Sequence, residues 1–206
     1  MKKFLITWAM LQCLAFSAQT QETRALYVKG NALFLPAGML NVGAEYQIAD
    51  KYTLQGEVFV SPWKSFGGHE MQVYMLGFQG RYYFSEAFRK FYVGADISSA
   101  RFIMQKFNYW NDNIYYIHGT NIPTDHISSN LYQKGYAFML GAVAGYQWKL
   151  NDRWNIDLYL TAGMIQSIYK GYDRTNGERY DIDVRRWDKS GEFLPYRGGV
   201  MISYKL

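Results

Sequence analysis

The chain has one cysteine in 206 residues, Cys13, and none after it. Whatever follows that position is held together without disulfides. Long apolar runs are missing as well. Beyond the first 18 residues, no stretch reaches the roughly 18 consecutive apolar residues that a spanning helix needs, and the best candidate, 135–148, is too short. Charged residues make up only 19% of the chain, yet the mean hydropathy of −0.26 is too polar for a helical membrane protein. The net charge of +5 is not gathered into a basic stripe, so a nucleic-acid partner is not implied. Aromatic residues, by contrast, are abundant: 18% of the chain, with 19 tyrosines.

The N-terminus has the charged, apolar, small-residue order of a secretory signal. Lys2 and Lys3 precede the apolar run 4–16, and Ser17 and Ala18 follow it. Cleavage after Ser17 puts Ala15 and Ser17 at the usual small positions; cleavage after Ala18, which gives a signal at 1–18 and one mature domain at 19–206, fits nearly as well. Cys13 lies inside the signal, and Gln12 before it is not the small residue that lipid attachment requires.

Period-2 alternation recurs along the rest of the chain, as half-buried strands demand. Eight segments show it, at 25–34, 40–48, 52–61, 71–84, 91–103, 135–148, 154–168 and 196–206. Short turns at 49–51, 85–90 and 150–152 alternate with connections that include long ones, 105–134 and 170–195. Long loops count against a compact soluble domain, but short turns at one end and long loops at the other are what outer-membrane barrels show.

The stretch "GYQWKLNDRWNIDLYL" at 145–160 raises the question of which face is outside. Pairing Trp148 with Trp154 around a three-residue turn puts Tyr146–Ile156, Ala144–Leu158, Ala142–Leu160 and Leu140–Ala162 on one face. The other face carries Gln147–Asn155 and Gly145–Asp157. At the earlier turn, Tyr46–Leu54, Ala44–Gly56 and Val42–Val58 share the apolar face, and Glu45–Gln55 and Gly43–Glu57 the polar one. The polar face is narrow, Gly-rich and charged. Beside the short turns stand Tyr46, Tyr52, Phe84, Phe91, Trp148 and Trp154, the arrangement of an aromatic girdle at a membrane interface. The apolar face therefore points to lipid. Strands satisfy their backbone there only by closing on themselves, and the expected fold is an all-β, eight-stranded antiparallel transmembrane barrel, with short periplasmic turns and long extracellular loops. Eight strands enclose a space just wide enough to be filled by side chains. The expected lumen charges are Glu45, Glu57, Asp96 and Asp157 against Arg81, Arg197 and Lys205. They read as a structural plug, ahead of an ion path.

The last strand, "RGGVMISYKL", places Arg197, Gly199, Ile202 and Tyr204 at polar-x-Gly-x-x-apolar-x-aromatic spacing. This resembles the terminal signal read by the barrel-assembly machinery, with Leu206 where an aromatic is usual. The order "NVGAEYQIADKYTLQGEVFVSPW", "GRYYF", "FYVGADI", "GYAFMLGAVAGYQWKLNDRWNIDL" and "GGVMISYKL" resembles a domain-of-unknown-function family of small single-barrel proteins of Bacteroides-type outer membranes. Its most specific pieces are the Pro-Trp closing the third segment and the Gly-Tyr-Gln-Trp…Arg-Trp-Asn hairpin. The architecture is similar, more distantly, to OmpA/OmpX-type barrels. The resemblance implies fold and an outer-membrane location but no reaction.

Three sets of residues compete for a function. His69, His118 and His126 fall in expected outer loops, with Ser65 near the first and Ser128 and Ser129 near the third, as a lipid-modifying acyl hydrolase or transferase would need. No local motif supports that chemistry, and the spacing of Asp112, His118, Asp125 and His126 matches no metal-ligand pattern. No cofactor is implied. The loop at 170–195 holds six bases and six acids, among which Arg185 and Arg186 are candidates to hold glycolipid phosphates. The third set is Phe107, Tyr109, Trp110, Tyr115 and Tyr116, either a contact surface for a protein or glycan or strand ends that cover one another. The expectation is a monomer whose role is structural or interactive through its loops, in contact with outer-membrane lipid and lipopolysaccharide. A lipid-acting enzyme is the runner-up and a narrow pore the third reading.

Overall fold

Because successive side chains of a strand point to opposite faces, a closed ring of strands sorts its residues into lumen and exterior. The computed structural model describes residues 24–117, 121–181 and 188–206. In chain order its strands are β1 (Leu26–Asn31), β2 (Leu40–Ala49), β3 (Tyr52–Phe66), β4 (His69–Tyr83), β5 (Lys90–Met104), β6 (Ile114–Tyr116), β7 (Pro123–Ile127), β8 (Leu131–Lys149), β9 (Trp154–Asp173) and β10 (Asp188–Lys205). Eight of them form a closed antiparallel barrel, β1-β10-β9-β8-β5-β4-β3-β2, and β6 pairs with β7 in a separate hairpin.

The strands are longer than the alternation alone suggests. β3 continues through Pro62 and Trp63 to Phe66 and meets β4 at Phe66↔His69. The Pro-Trp pair therefore does not close the strand. Trp63 instead donates its indole N–H to the Ala37 carbonyl at 2.8 Å, fastening the 3-10 turn Leu35–Ala37 between β1 and β2. Gly67 and Gly68, at φ +58° and +90°, make the two-residue turn, which requires positive φ at both positions. His69 accordingly starts a strand and does not sit in a loop. β9 runs on to Asp173 and β10 begins at Asp188, so both ends of the loop expected at 170–195, residues 170–173 and 188–195, belong to strands. At 19 and 20 residues, β8 and β9 are about twice the length needed to cross an apolar layer.

The β2–β3 register is Tyr46↔Leu54, Ala44↔Gly56, Val42↔Val58, Glu45↔Gln55 and Gly43↔Glu57, as the sequence suggests. The β8–β9 register differs by two residues from expectation. Trp148 faces Ile156, Tyr146 faces Leu158 and Ala144 faces Leu160. The turn is a four-residue one, in which Asn151 Oδ1 accepts from the Arg153 and Trp154 amides at 2.9 Å each. A slip of two keeps every side chain on its own face, so alternation cannot detect it.

The distribution of side chains inverts that of a soluble barrel. Val42, Leu54, Leu76, Phe78, Ile97, Phe138, Leu140, Leu158, Leu160 and Ile202 are exposed on the outer face. Glu45, Gln55, Glu57, Gln79, Arg81, Asp96, Gln147, Asp157 and Arg197 are buried inside. Glycines face the largest lumen groups: a Cβ on Gly145 would lie 2.5 Å from the Tyr92 ring, and one on Gly77 would lie 2.0 Å from Arg197 Nη1.

Candidate functional site

The lumen charges divide into two clusters stacked along the barrel. Nearer the short-turn end, Arg81 Nη1 donates to Asp157 Oδ2 at 2.8 Å and to Glu45 Oε2 at 3.2 Å. Its Nε and Nη2 both donate to Gln79 Oε1, at 2.8 and 2.7 Å. Lys29 Nζ completes the square, 2.8 Å from Asp157 Oδ2 and ion-paired with Glu45. The Tyr92 hydroxyl donates to Asp157 Oδ1 at 2.7 Å, and Thr53 Oγ1 donates to Glu45 Oε1 at 2.5 Å. The guanidinium lies 4.5 Å from the centroid of Tyr92, over its face. Two cations and two carboxylates balance, and each carboxylate also accepts a hydroxyl hydrogen bond, which is what a buried ion pair needs to persist.

Nearer the other end, Arg197 pairs with Asp96, and its Nη1 donates to Ser98 Oγ at 3.2 Å. Its Nε stands 3.2 Å from Glu57 Oε1 without the alignment of a hydrogen bond. The Tyr196 hydroxyl donates to Asp96 Oδ1 at 2.6 Å, and Gln55 Nε2 donates to Glu57 Oε2 at 2.6 Å.

Six of the seven expected lumen charges thus lie inside, and Lys205 does not join them. It has the inward parity of Ser203 and Met201, but it ends β10 at the barrel's rim, where it is exposed. Lys29, 4% exposed, takes that place instead. It was legible as the inward residue between Val28 and Gly30, but a six-residue first strand gives alternation little to work with.

Both mouths are stopped. At the short-turn end, Phe88 of the β4–β5 turn folds back into the lumen. It is buried, at φ +65°, with its ring 4.4 Å from that of Tyr27 and its carbonyl accepting from Asn155 Nδ2 at 3.3 Å. The sequence showed only a short turn there; positive φ at a phenylalanine has no sequence signature. At the long-loop end, Tyr180 is buried against Gly171, where a Cβ would lie 2.3 Å from its ring. The Tyr115 ring packs 4.9 Å from it and the Tyr109 ring 6.2 Å. Burial, with Tyr109 beside it, pushes the Tyr180 phenol well above its ordinary value, so it stays protonated and accepts from Gln133 at 3.3 Å.

Part of the aromatic loop therefore covers itself. Phe107, Trp110, Ile114, Tyr116, Ile122 and Ile127 remain exposed around the β6–β7 hairpin. His69 stacks on Trp110 at 4.0 Å and contacts Gln105 Oε1 at 2.7 Å. His126 Nδ1 lies 2.7 Å from Asp173 Oδ2, and Asp173 Oδ1 accepts from the Thr175 amide and hydroxyl at 2.8 and 2.6 Å. This carboxylate–imidazole pair joins β7 to the end of β9, and nothing in the local sequence around either residue announced it. Among the described residues, no serine hydroxyl bonds to either ring: Ser128 is buried, and its carbonyl, with that of Ser129, accepts from Gln105. Nor do the described residues place three or more His, Cys, Asp or Glu side chains to hold a metal ion. His118, Arg185 and Arg186 lie outside the described residues.

The aromatics expected beside the short turns form a rim there. Tyr46, Tyr52, Phe84, Phe91, Trp148 and Trp154 are all exposed. Tyr82 bridges Tyr52 and Phe84 at 5.1 and 5.5 Å, Tyr146 bridges Phe91 and Trp148 at 4.7 and 4.5 Å, and Trp154 meets Tyr204 at 4.9 Å. In the last strand, Arg197 faces the lumen and Ile202 and Tyr204 the exterior, while Gly199 packs where a Cβ would lie 2.2 Å from Asn31 Nδ2.

A family described as a protein of unknown function, DUF3575, matches residues 5–206. The chain belongs to the DUF3575 family. The match spans every element described above, so the two ion clusters, the stoppers and the loop cap all fall inside the family's extent. No curated protein matches the chain. A family without an assigned activity supplies no reaction, so any function rests on the geometry.

Proposed function

We propose that this DUF3575 protein is a monomeric outer-membrane barrel with a sealed lumen and a structural or interactive role exercised through its long-loop end. The observation that carries the reading is the inverted distribution: a belt of exposed aliphatic and aromatic side chains around a buried, ion-paired interior. In water such a belt would drive aggregation; in lipid it is the preferred surface, and a Lys or Arg at its middle would cost roughly 2–4 kcal/mol. The signal-like segment at 1–18, the aromatic rim at the short-turn end and the terminal-strand pattern support the same reading. They make outer-membrane lipid and the assembly machinery its partners, with a surface protein or glycan at the loops. The test is fractionation combined with gel mobility. The mature protein is expected in the outer-membrane fraction, migrating faster before heating than after. Recovery in the soluble periplasmic fraction would sink the reading. Stable single-channel currents in planar bilayers would overturn the sealed lumen.

The loops can be separated from the barrel. Leu131 is fully buried and Gln105 anchors the carbonyls of 128 and 129, so a Gly/Ser replacement has to stay within 107–127. That exchange is expected to leave the heat-shifted mobility intact while abolishing surface binding or adhesion. A second reading, a lipid-acting enzyme, draws on the His126–Asp173 pair. Alanine at His69, His118 or His126 is expected to leave the membrane lipids and the surface phenotype unchanged. Loss of a lipid modification on His126→Ala in a folded barrel, seen by mass spectrometry, would favour the enzyme.

A further inference from the structure

On the outer face, above the apolar belt at the long-loop end, four basic residues lie on adjacent strands. Lys134 of β8 stands directly opposite Lys170 of β9. Arg101 of β5 pairs with Tyr136, one outward position below Lys134. Lys189 of β10 pairs with Ile168, one outward position below Lys170. Diagonal neighbours of this kind stand about 7–8 Å apart, within reach of long side chains. The register therefore makes a continuous stripe, Arg101–Lys134–Lys170–Lys189. Arg101, Lys134 and Lys189 are exposed, and among the described residues none of the three forms an ion pair. The outward acid nearest in register, Glu70, is held by Arg174 at 2.8 and 2.5 Å.

Directly below Arg101 the belt is indented. Ser99, a small residue, sits between Leu76 on one side and Phe138 on the other. Together with Tyr74 and Tyr136 these side chains wall a surface groove of about 460 Å³ that opens at Arg101. An apolar trough headed by a basic stripe matches one class of ligand, an acyl chain below a phosphate.

We propose that this stripe and groove form a binding site for a phosphorylated lipid of the outer leaflet, with the phosphate held by Arg101 and Lys134 and one acyl chain lying along Ser99. The assignment rests on the outer-membrane reading. The guanidinium offers a planar fork to phosphate oxygens and the ammonium groups act as point charges beside it, while the flanking tyrosines sit at headgroup level.

The test uses the purified full-length mature barrel in detergent, with binding read by native mass spectrometry. The probes are a phosphorylated outer-membrane glycolipid and its enzymatically dephosphorylated form. The phosphorylated lipid is expected to bind and the dephosphorylated one to bind far more weakly. The variant R101A/K134A/K189A should lose about fivefold per charge removed. Ser99→Leu, which fills the groove and leaves the charges, should also weaken binding. Removing three charges at the opposite end, K51A/K149A/R153A, should change nothing. Equal binding by wild type and R101A/K134A/K189A would overturn the site, and so would equal losses at both ends. Full retention by Ser99→Leu together with competition by inorganic phosphate would reduce it to an anion patch and overturn the lipid assignment. Each variant is first checked for heat-shifted mobility. A wild type without that shift refutes the membrane reading, whereas a shifted barrel that binds no lipid refutes only the site.

Discussion

Arg81→Leu is expected to destabilise the barrel by about 3–5 kcal/mol, because it leaves an uncompensated charge in a closed interior. Arg81 shares Glu45 and Asp157 with Lys29 and also donates twice to Gln79 Oε1. With it gone, Lys29 faces two carboxylates by itself. The measurement is the urea concentration at which the fast-migrating folded form is lost, and the variant should unfold at clearly lower urea than the wild type. The pair logic supplies its own control. Replacing the whole square at once, Lys29→Met, Arg81→Leu, Glu45→Gln and Asp157→Asn, removes the charges together and should recover much of the loss, as neutral isosteres of buried ion pairs often do. A wild-type midpoint for Arg81→Leu would mean that the lumen admits enough water to screen the carboxylates, and the plugged interior would have to be given up.

Gly94→Val should be as damaging, for a steric reason. Gly94 sits between Arg81 of β4 and Val143 of β8 on the inward face. A Cβ there would lie 2.2 Å from the Gly80 carbonyl oxygen and 3.0 Å from the Val143 side chain. Overpacking a filled core typically costs about 1–3 kcal/mol, and here the closest obstacle is backbone, which cannot change rotamer. Little heat-shifted material should accumulate. Gly80→Ala on the neighbouring strand is the matched comparison. Its Cβ would meet nothing closer than Leu54 at 3.9 Å, so it should assemble normally. Equal yields from Gly94→Val and Gly80→Ala would show that the β4–β5 spacing is looser than described.

These two effects bear on what the sequence could and could not reveal. Parity fixes a face, so Glu45, Glu57, Arg81, Asp96, Asp157 and Arg197 could be assigned to one side from alternation alone. Parity does not fix depth along the barrel, and Lys205, at the short-turn rim, was for that reason grouped with residues that lie inside the lumen. The same blindness to translation by two explains the β8–β9 slip, which turns on one Asn151 side chain. Strand ends at 61 and 168 were set too short, the first because Pro62 reads as a break, whereas pairing with β4 and β8 carries the chain past both. Phe88, Tyr180 and the His126–Asp173 pair were out of reach for a different reason. Each depends on a loop returning onto strands that are distant in sequence, and no local pattern records that return.

The ring also sets an order of events. β1 and β10, at opposite ends of the chain, are hydrogen-bonded neighbours, with Tyr27 opposite Lys205 and Asn31 opposite Met201. Every other strand pairing of the barrel joins barrel strands that follow one another along the chain, but this seam cannot form until β10 has been synthesised. Closure is thus the most non-local and slowest step, and before it β1 and β10 each carry an open edge able to pair with another chain. A cell making this protein has to keep a nearly finished sheet, apolar on one face, apart from its copies until β10 arrives to pair with β1.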